Sequence, residues 1–289
     1  MTLAKVEGAP ALVRWTGRIA LFSLVLAIVA VVGHRFFGMS TPVLLSLLLV
    51  AFGGAMLGLV QALFASVRIW RNGGTGVARI VIAIAIGLGM IAWPLSFYAD
   101  FKRLPMLNDV TTDTADPPRF VTLADARSGP AANGTKYKPA FAERQRKAYP
   151  DLKPMLVNRS VEETFDLVVN SVRRLRMRIV RETPPDEQNG EGSLEAVDRT
   201  LVMGFSDDVA VRVTGSEAGS RIDIRSASRY GRHDLGRNVE RVREMMREIV
   251  ARLESTIPGA AENRRKRNRG DAKPSARKDA DRKREVPRR

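Results

Sequence analysis

Three long apolar runs fill the first hundred residues, and they leave this chain no way to fold entirely in water. Segments 15–37, 42–67 and 78–98 each reach the ~20 residues that a bilayer core demands of a helix. Apolar side chains surround each run, so none keeps a polar face for solvent. The pattern predicts a three-helix transmembrane region over 1–100, with the lipid bilayer as its first partner. Trp15 and Trp70 fall at one level and Phe36, Phe37, Trp93 and Tyr98 at the other, as two interfacial belts require. A cleaved signal peptide fits the first run poorly, because the run is long, no small-x-small site follows, and two further spans come next.

Positive charge predicts the orientation. Lys5, Arg14 and Arg18 lie on or near the start of the first span and Arg68, Arg71 and Arg79 flank the second connection. The first connection offers only Arg35, although Lys102 and Arg103 follow the third span. The bias puts the N-terminus inside and everything after Tyr98 outside. In a Gram-negative cell that is a multi-pass protein of the cytoplasmic (inner) membrane with a periplasmic domain. Within the spans, Gly54 with Gly58, Ala83 with Gly87 and Ala85 with Gly89 have the spacing that lets helices approach closely. Gln61 is the strongly polar residue well inside a span, where it is expected to bond a neighbouring helix; no charged relay suggests transport.

The rest of the chain is polar. It has no cysteine, which excludes disulfides, thiolate nucleophiles and cysteine-ligated zinc, and its histidines are His34 and His233. No metal site and no cofactor is expected. Residues 101–145 read as an extended approach segment rich in Pro, Asp, Thr and Gly, without helical period from Asn108 to Gln145. From 146 to 259 an α+β domain is expected. Ser160 and Glu163 form a capping box ahead of Val161, Phe165, Val168, Val169, Val172 and Leu175 at helical spacing. Strand-like runs follow at 177–181, 194–198, 201–205, 209–213 and 221–226, and a second helix starts near Asp234 with Val239, Val242, Met246, Ile249, Leu253 and Ile257 inward. The predicted fold class is therefore three N-terminal transmembrane α-helices, then helix, antiparallel sheet of about five strands and helix, then a tail. That tail, 260–289, is basic and nearly free of apolar residues, and it is read as disordered.

The stretches "TTDTADPPRF", "ERQRKAYPDLKP", "GSLEAVDRTLVMGFSDDVAVRV" and "GSRIDIRSASRYGRHDLGRN" resemble, in order, the signatures of the family catalogued as domain of unknown function 1499. The resemblance covers roughly 109 to 253. It implies a bacterial or plastid-type envelope protein, commonly with membrane helices before the domain, and brings no catalytic residues to carry over.

The candidate chemistry lies where the last strands meet the last helix. Strand parity sets Val209, Val211, Val213, Ile222 and Ile224 on one face, with Asp208, Arg212, Arg221, Asp223 and Arg225 on the other. Opposite charges pair best with Arg212 facing Asp223 across the hairpin at "GSEAG". A solvated outer face with cross-strand ion pairs is the plain reading. Ser226 and Ser228 continue the inward parity, and Asp234 is the expected N-cap of the last helix. The functional reading makes Arg225, Ser226, Ser228, Arg229 and Asp234 an anion site at that helix's positive end. The alternative is a hydrolase or metal-dependent enzyme centred on Asp207, Asp208 and His233. Adjacent strand residues point to opposite faces, however, so Asp207 and Asp208 cannot both flank one bond, and a turn explains them more simply. No residue is assigned a catalytic role. The function expected is a non-catalytic binding or interaction module for an anionic ligand or a protein partner. With the domain outside, the net charge of +16, concentrated in the tail, would meet anionic lipid head groups or cell-wall polymer rather than nucleic acid.

Overall fold

The structure is a computed structural model, and it describes residues 10–256 apart from 128, 130, 187–189 and 218. The basic tail lies outside the described residues. Three helices long and apolar enough to cross a membrane come first: α1 (Ala11–Phe37), α2 (Thr41–Asn72) and α3 (Val77–Ser96), the last continued by the short α4 (Tyr98–Arg103). Small residues let them pack. A Cβ on Gly58 would touch the backbone of Ala20, one on Gly54 would strike Ser23, and one on Gly87 would strike Leu59, whereas Gly89 faces open space. The GxxxG and the Ala83/Gly87 pair thus serve packing inside the bundle. Gln61 differs from expectation, because its Oε1 is buried with no hydrogen-bond partner among the described residues.

The soluble part is an antiparallel sheet with helices on one face. In chain order its elements are β1 (Asp109–Thr111), a 3-10 turn (Thr122–Arg127), α5 (Pro139–Ala148), β2 (Met155–Val157) and α6 (Val161–Arg174), followed by β3 (Arg178–Thr183), β4 (Glu191–Arg199), β5 (Ser206–Ser216), β6 (Gly219–Ser228) and α7 (Arg237–Ser255). Strands β3 to β6 form a meander of consecutive neighbours. β1 and β2 then fill the free edge of β6 end to end, β1 on Arg225 to Ala227 and β2 on Ser220 to Ile222. Six described strands therefore replace the five expected, and an open edge that invites aggregation is covered.

Hydrophobic burial orders the layers. Phe165, Val168 and Val172 of α6, with Val242, Met245 and Ile249 of α7, close over Leu194, Val209, Val211, Val213, Ile222 and Ile224. Ser160 accepts a hydrogen bond from the Glu163 N–H at 3.2 Å, so Ser160 is the N-cap, while the Glu163 carboxylate accepts from Arg159. Met245 rather than Met246 occupies the fully buried position of α7. Gly219, at φ 123°, closes the β5–β6 hairpin where a side chain would strike the Val157 carbonyl.

Three expectations fail. Residues 201–205 are a turn, not a strand, because Gly204 at φ 72° breaks the extension. Asp207 and Asp208 lie within β5 rather than in a turn. The segment from Asn108 to Gln145 holds β1 and α5: β1 is three residues long, and α5 buries only Phe141 and Gln145, too few positions to show a period. Gln145 does a strand's work there. Its side chain accepts from Thr111 N–H at 3.0 Å and donates to Thr111 C=O at 2.6 Å.

A Cβ on Gly192 would meet the buried Phe165 ring. Gly192→Val should therefore destabilise the domain by ~1–3 kcal/mol, read as faster amide exchange in β4 and α6. Gly89→Ala, into open space, should leave the bundle unchanged; equal effects at the two positions would contradict this packing.

Candidate functional site

The outer face of the sheet is not solvated. The chain from Thr112 to Thr135 lies across it, and Phe120 and Leu123 pack there on Val197, Ala210 and Ala227. That cover buries charge. Asp208 is 0%, Asp223 1% and Arg225 3% exposed, so each must find its counter-charge inside the protein.

Each does. Arg127, from the 3-10 turn, donates to Asp208 at 2.7 Å and to the Ala227 carbonyl at 2.6 Å. Arg229 grips the other oxygen of Asp208 at 2.7 and 2.9 Å. Arg225 binds Asp109 through two parallel hydrogen bonds, 3.0 and 2.7 Å, and donates to the carbonyls of Pro118 and Thr135 at 3.0 and 2.8 Å. The guanidinium groups of Arg127 and Arg225 both lie over the Phe120 ring, 4.8 and 4.6 Å from its centre. Arg212 faces Asp223 in the register expected, and Asp223, Arg221, Asp113 and Asp116 complete that cluster. Glu195 accepts from the N–H groups of Val121, Thr122 and Leu123, which caps the 3-10 turn.

Burial lowers the pKa of Arg127, outweighing the attraction of Asp208. Burial alone would raise Asp113, but the N–H groups of Asp116 and Ala115, with Arg221 and Arg212, hold its carboxyl below the ordinary value.

The inner face carries a second cluster. Asp207 would confront Asp198 directly across the β4–β5 ladder, a like-charge pair that Arg241 of α7 resolves by donating to both, at 2.7 and 2.8 Å. Burial pulls Arg241 down, yet Asp207 and Asp198 outweigh it and raise its pKa. Ser226 donates to Asn238 at 2.8 Å, and Asn238 donates to Ser228 at 2.9 Å. Asp234 accepts from the N–H groups of Gly236 and Asn238, so it caps α7 from two residues before Gly236's N-cap position. Burial raises its pKa against those two hydrogen bonds.

The residues singled out by sequence are thus divided between layers. Arg225 and Arg229 lie in the outer charge layer with Asp208, Arg212 and Asp223; Ser226, Ser228, Asp234 and Asp207 lie inside, beside α7. His233 belongs to neither. Its Nδ1 accepts from the Leu235 N–H at 2.9 Å, which leaves the proton on Nε2 to meet the Leu104 carbonyl at 3.3 Å, and its ring stacks on Phe101. Sequence reasoning missed Arg127, Asp109, Asn238 and Arg241, which complete these clusters. The like-signed pair Asp198 and Asp207 was the one available signal, since an antiparallel link between them demands a bridging cation.

The roomy concavity lies elsewhere, where the soluble domain meets the bundle. A cavity of about 970 Å³ is floored by Leu45, Leu48 and Ile91 and walled by Leu201, Met203, Tyr230 and Arg237. The turn after β4 forms one side of it. There Phe205 and Met203 pack near Leu44 and Leu48, and Arg35 donates to the Thr200 carbonyl at 2.9 Å. Asp207, Ser228, His233 and Asp234 also line this space, while Asp208 does not.

Residues 109–249 match the family model described as protein of unknown function (DUF1499). No curated protein matches the chain.

Removing one member of a buried ion cluster should cost far more than removing a surface pair. Asp208→Asn, which strands Arg127 and Arg229, and Arg225→Gln, which strands Asp109, should each lose ~3–5 kcal/mol in urea unfolding. Arg173→Gln, at an exposed pair with Glu182, should lose at most ~1 kcal/mol. Asp113 adds a pH signature. Its folded pKa is depressed, so its contribution is present above the unfolded value of ~3.9 and lost as pH falls through the folded one. Asp113→Asn should therefore make the acid limb below pH ~4 shallower; an unchanged limb would refute the assignment.

Proposed function

We propose, from the premise that residues 109–249 form a domain of the DUF1499 family behind three apolar helices, that this protein is a membrane-anchored, non-catalytic binding module. The observation that carries this reading is the division of the polar residues. Asp207 and Asp208 face opposite sides of β5, and they are held by different arginines, Asp207 by Arg241 and Asp208 by Arg127 and Arg229. An acid and base flanking one bond need a shared space, which this pair lacks. Binding needs only a concave, mostly apolar site with a few polar groups, and the cavity at the junction supplies it.

The arginine-serine corner enters this reading as its framework. Arg225 and Arg229 set the outer layer, while Ser228 and Asp234 reach the cavity wall from the inner one. The soluble domain and the start of α1 lie at opposite ends of the bundle, because three helices separate them. With the arginine bias of the connections, this supports an N-terminus inside and a domain outside, in the periplasm of a Gram-negative cell. An anionic ligand or a protein partner there is the proposed target. The basic tail supplies a further attraction to anionic head groups or wall polymer.

Two measurements test the reading. A reporter active only outside the membrane, fused after residue 258, should be active; activity of a cytoplasm-only reporter at that junction would reverse the orientation. Amides of 200–206 and 230–237 should exchange at least severalfold more slowly in native membranes than in delipidated protein. Equal rates would mean that nothing occupies the cavity.

A further inference from the structure

The cavity's walls identify what it binds. Its floor is made by apolar residues of α2 and α3, helices long and apolar enough to cross a membrane, which would set the space beside the bilayer. The turn beyond β4 points the same way: Leu201 is 82% and Val202 63% exposed, side by side, on the face of the domain that touches α1 and α2. Two adjacent large apolar side chains so placed are stable inside a leaflet and unfavourable in water. They form the lateral lip of the cavity.

The opposite wall is polar, and its rim is cationic. Arg237 is exposed and pairs with no carboxylate among the described residues. Arg35 lies behind the lining on the side of the β4 turn, where it bonds the Thr200 carbonyl and contacts the Phe36 ring. The acids of this wall already have partners: Asp207 is held by Arg241, which it shares with Asp198, and Asp234 accepts from two backbone N–H groups. Arg237 is thus a cation at the mouth left without a carboxylate among the described residues, above an apolar floor. A volume of about 970 Å³ lies at the upper end of the ~300–1,000 Å³ typical of ligand sites.

We propose that the cavity holds one anionic phospholipid of the surrounding leaflet, its chains on Leu45, Leu48 and Ile91 and its phosphate at Arg237. This rests on the reading of the protein as a binding module. It goes further in naming the ligand class and the way in, which is sideways from the bilayer between the Leu201–Val202 lip and the ends of α2 and α3. Arg237 is the specificity-determining residue, and the apolar floor supplies affinity common to all lipids.

The test uses the full-length protein, delipidated in detergent and offered phosphatidylglycerol or phosphatidylcholine of the same chains, with native mass spectrometry counting retained lipid. One phosphatidylglycerol should persist at detergent levels that strip phosphatidylcholine. Arg237→Gln should reduce that preference about tenfold, one charged contact's worth of affinity. Leu45→Trp, which fills the floor, should abolish retention of both, whereas Leu63→Trp on an exposed part of α2 should not. Equal retention of the two lipids, retention unaffected by Leu45→Trp, or displacement by free glycerol phosphate would each overturn the proposal. Its failure is separable from that of the broader reading. If native membranes slow exchange at 200–206 and 230–237 but phosphatidylglycerol nanodiscs do not, the lipid is wrong and the binding module stands. If neither slows it, both fall.

Discussion

Asp208 is the carboxylate on which the soluble half of this protein depends. It is wholly buried near the start of β5, where a lone charge would be intolerable, and two arginines from different parts of the chain neutralise it. Arg229 comes from the end of β6, close in sequence and space. Arg127 comes from the approach segment, and its need for a partner draws that segment across the sheet. Once there, the segment covers much of the outer face, and Asp109–Arg225 becomes a buried pair while Asp223, itself buried, pairs with the partly covered Arg212. Such pairs add little stability relative to apolar packing, but they punish any other arrangement of the covering chain. Charge here specifies where 112–135 lies.

The same logic operates at the junction with the membrane helices, with weaker bonds. The turn after β4 leans on α1 and α2 through Met203 and Phe205, and Arg35 reaches up to the Thr200 carbonyl. On the other side, His233 joins the loop before α7 to the chain leaving α4. Both links touch the rim of the cavity. They hold its walls apart without filling it, where a packed interface would leave no such space.

Much of this was legible in the sequence because it follows from periodicity. The three apolar runs, the Ser160 N-cap, the face shared by Val209, Val211, Val213, Ile222 and Ile224, and the Arg212–Asp223 register all depend on local spacing and the sign of charge. What was not legible depends on partners far away in the chain. Arg225 finds Asp109 over a separation of 116 residues and Arg127 finds Asp208 over 81, and no local pattern announces either. An alternation of Asp and Arg on a strand reads as a solvated face unless one knows that a chain without regular period will cover it. The short elements were hidden for a related reason. α5 buries two side chains, and one of them, Gln145, is polar.

The turn at 200–205 shows how the same residues can mislead and inform. "LVMGF" has the composition of a strand, and in a soluble sheet it would extend β4 or begin β5. Here Gly204 turns the chain back, with Phe205 N–H bonded to the Thr200 hydroxyl at 2.9 Å, and the ladder resumes at Ser206. The apolar residues left at the tip have no core of their own to enter. Leu201 and Val202 stay uncovered, while Met203 and Phe205 rest on helix ends built to meet lipid. A hairpin of an aqueous domain would place polar residues at such a tip. An apolar one, at the end of the sheet that faces the bundle, packs the domain against α1 and α2 beside the cavity.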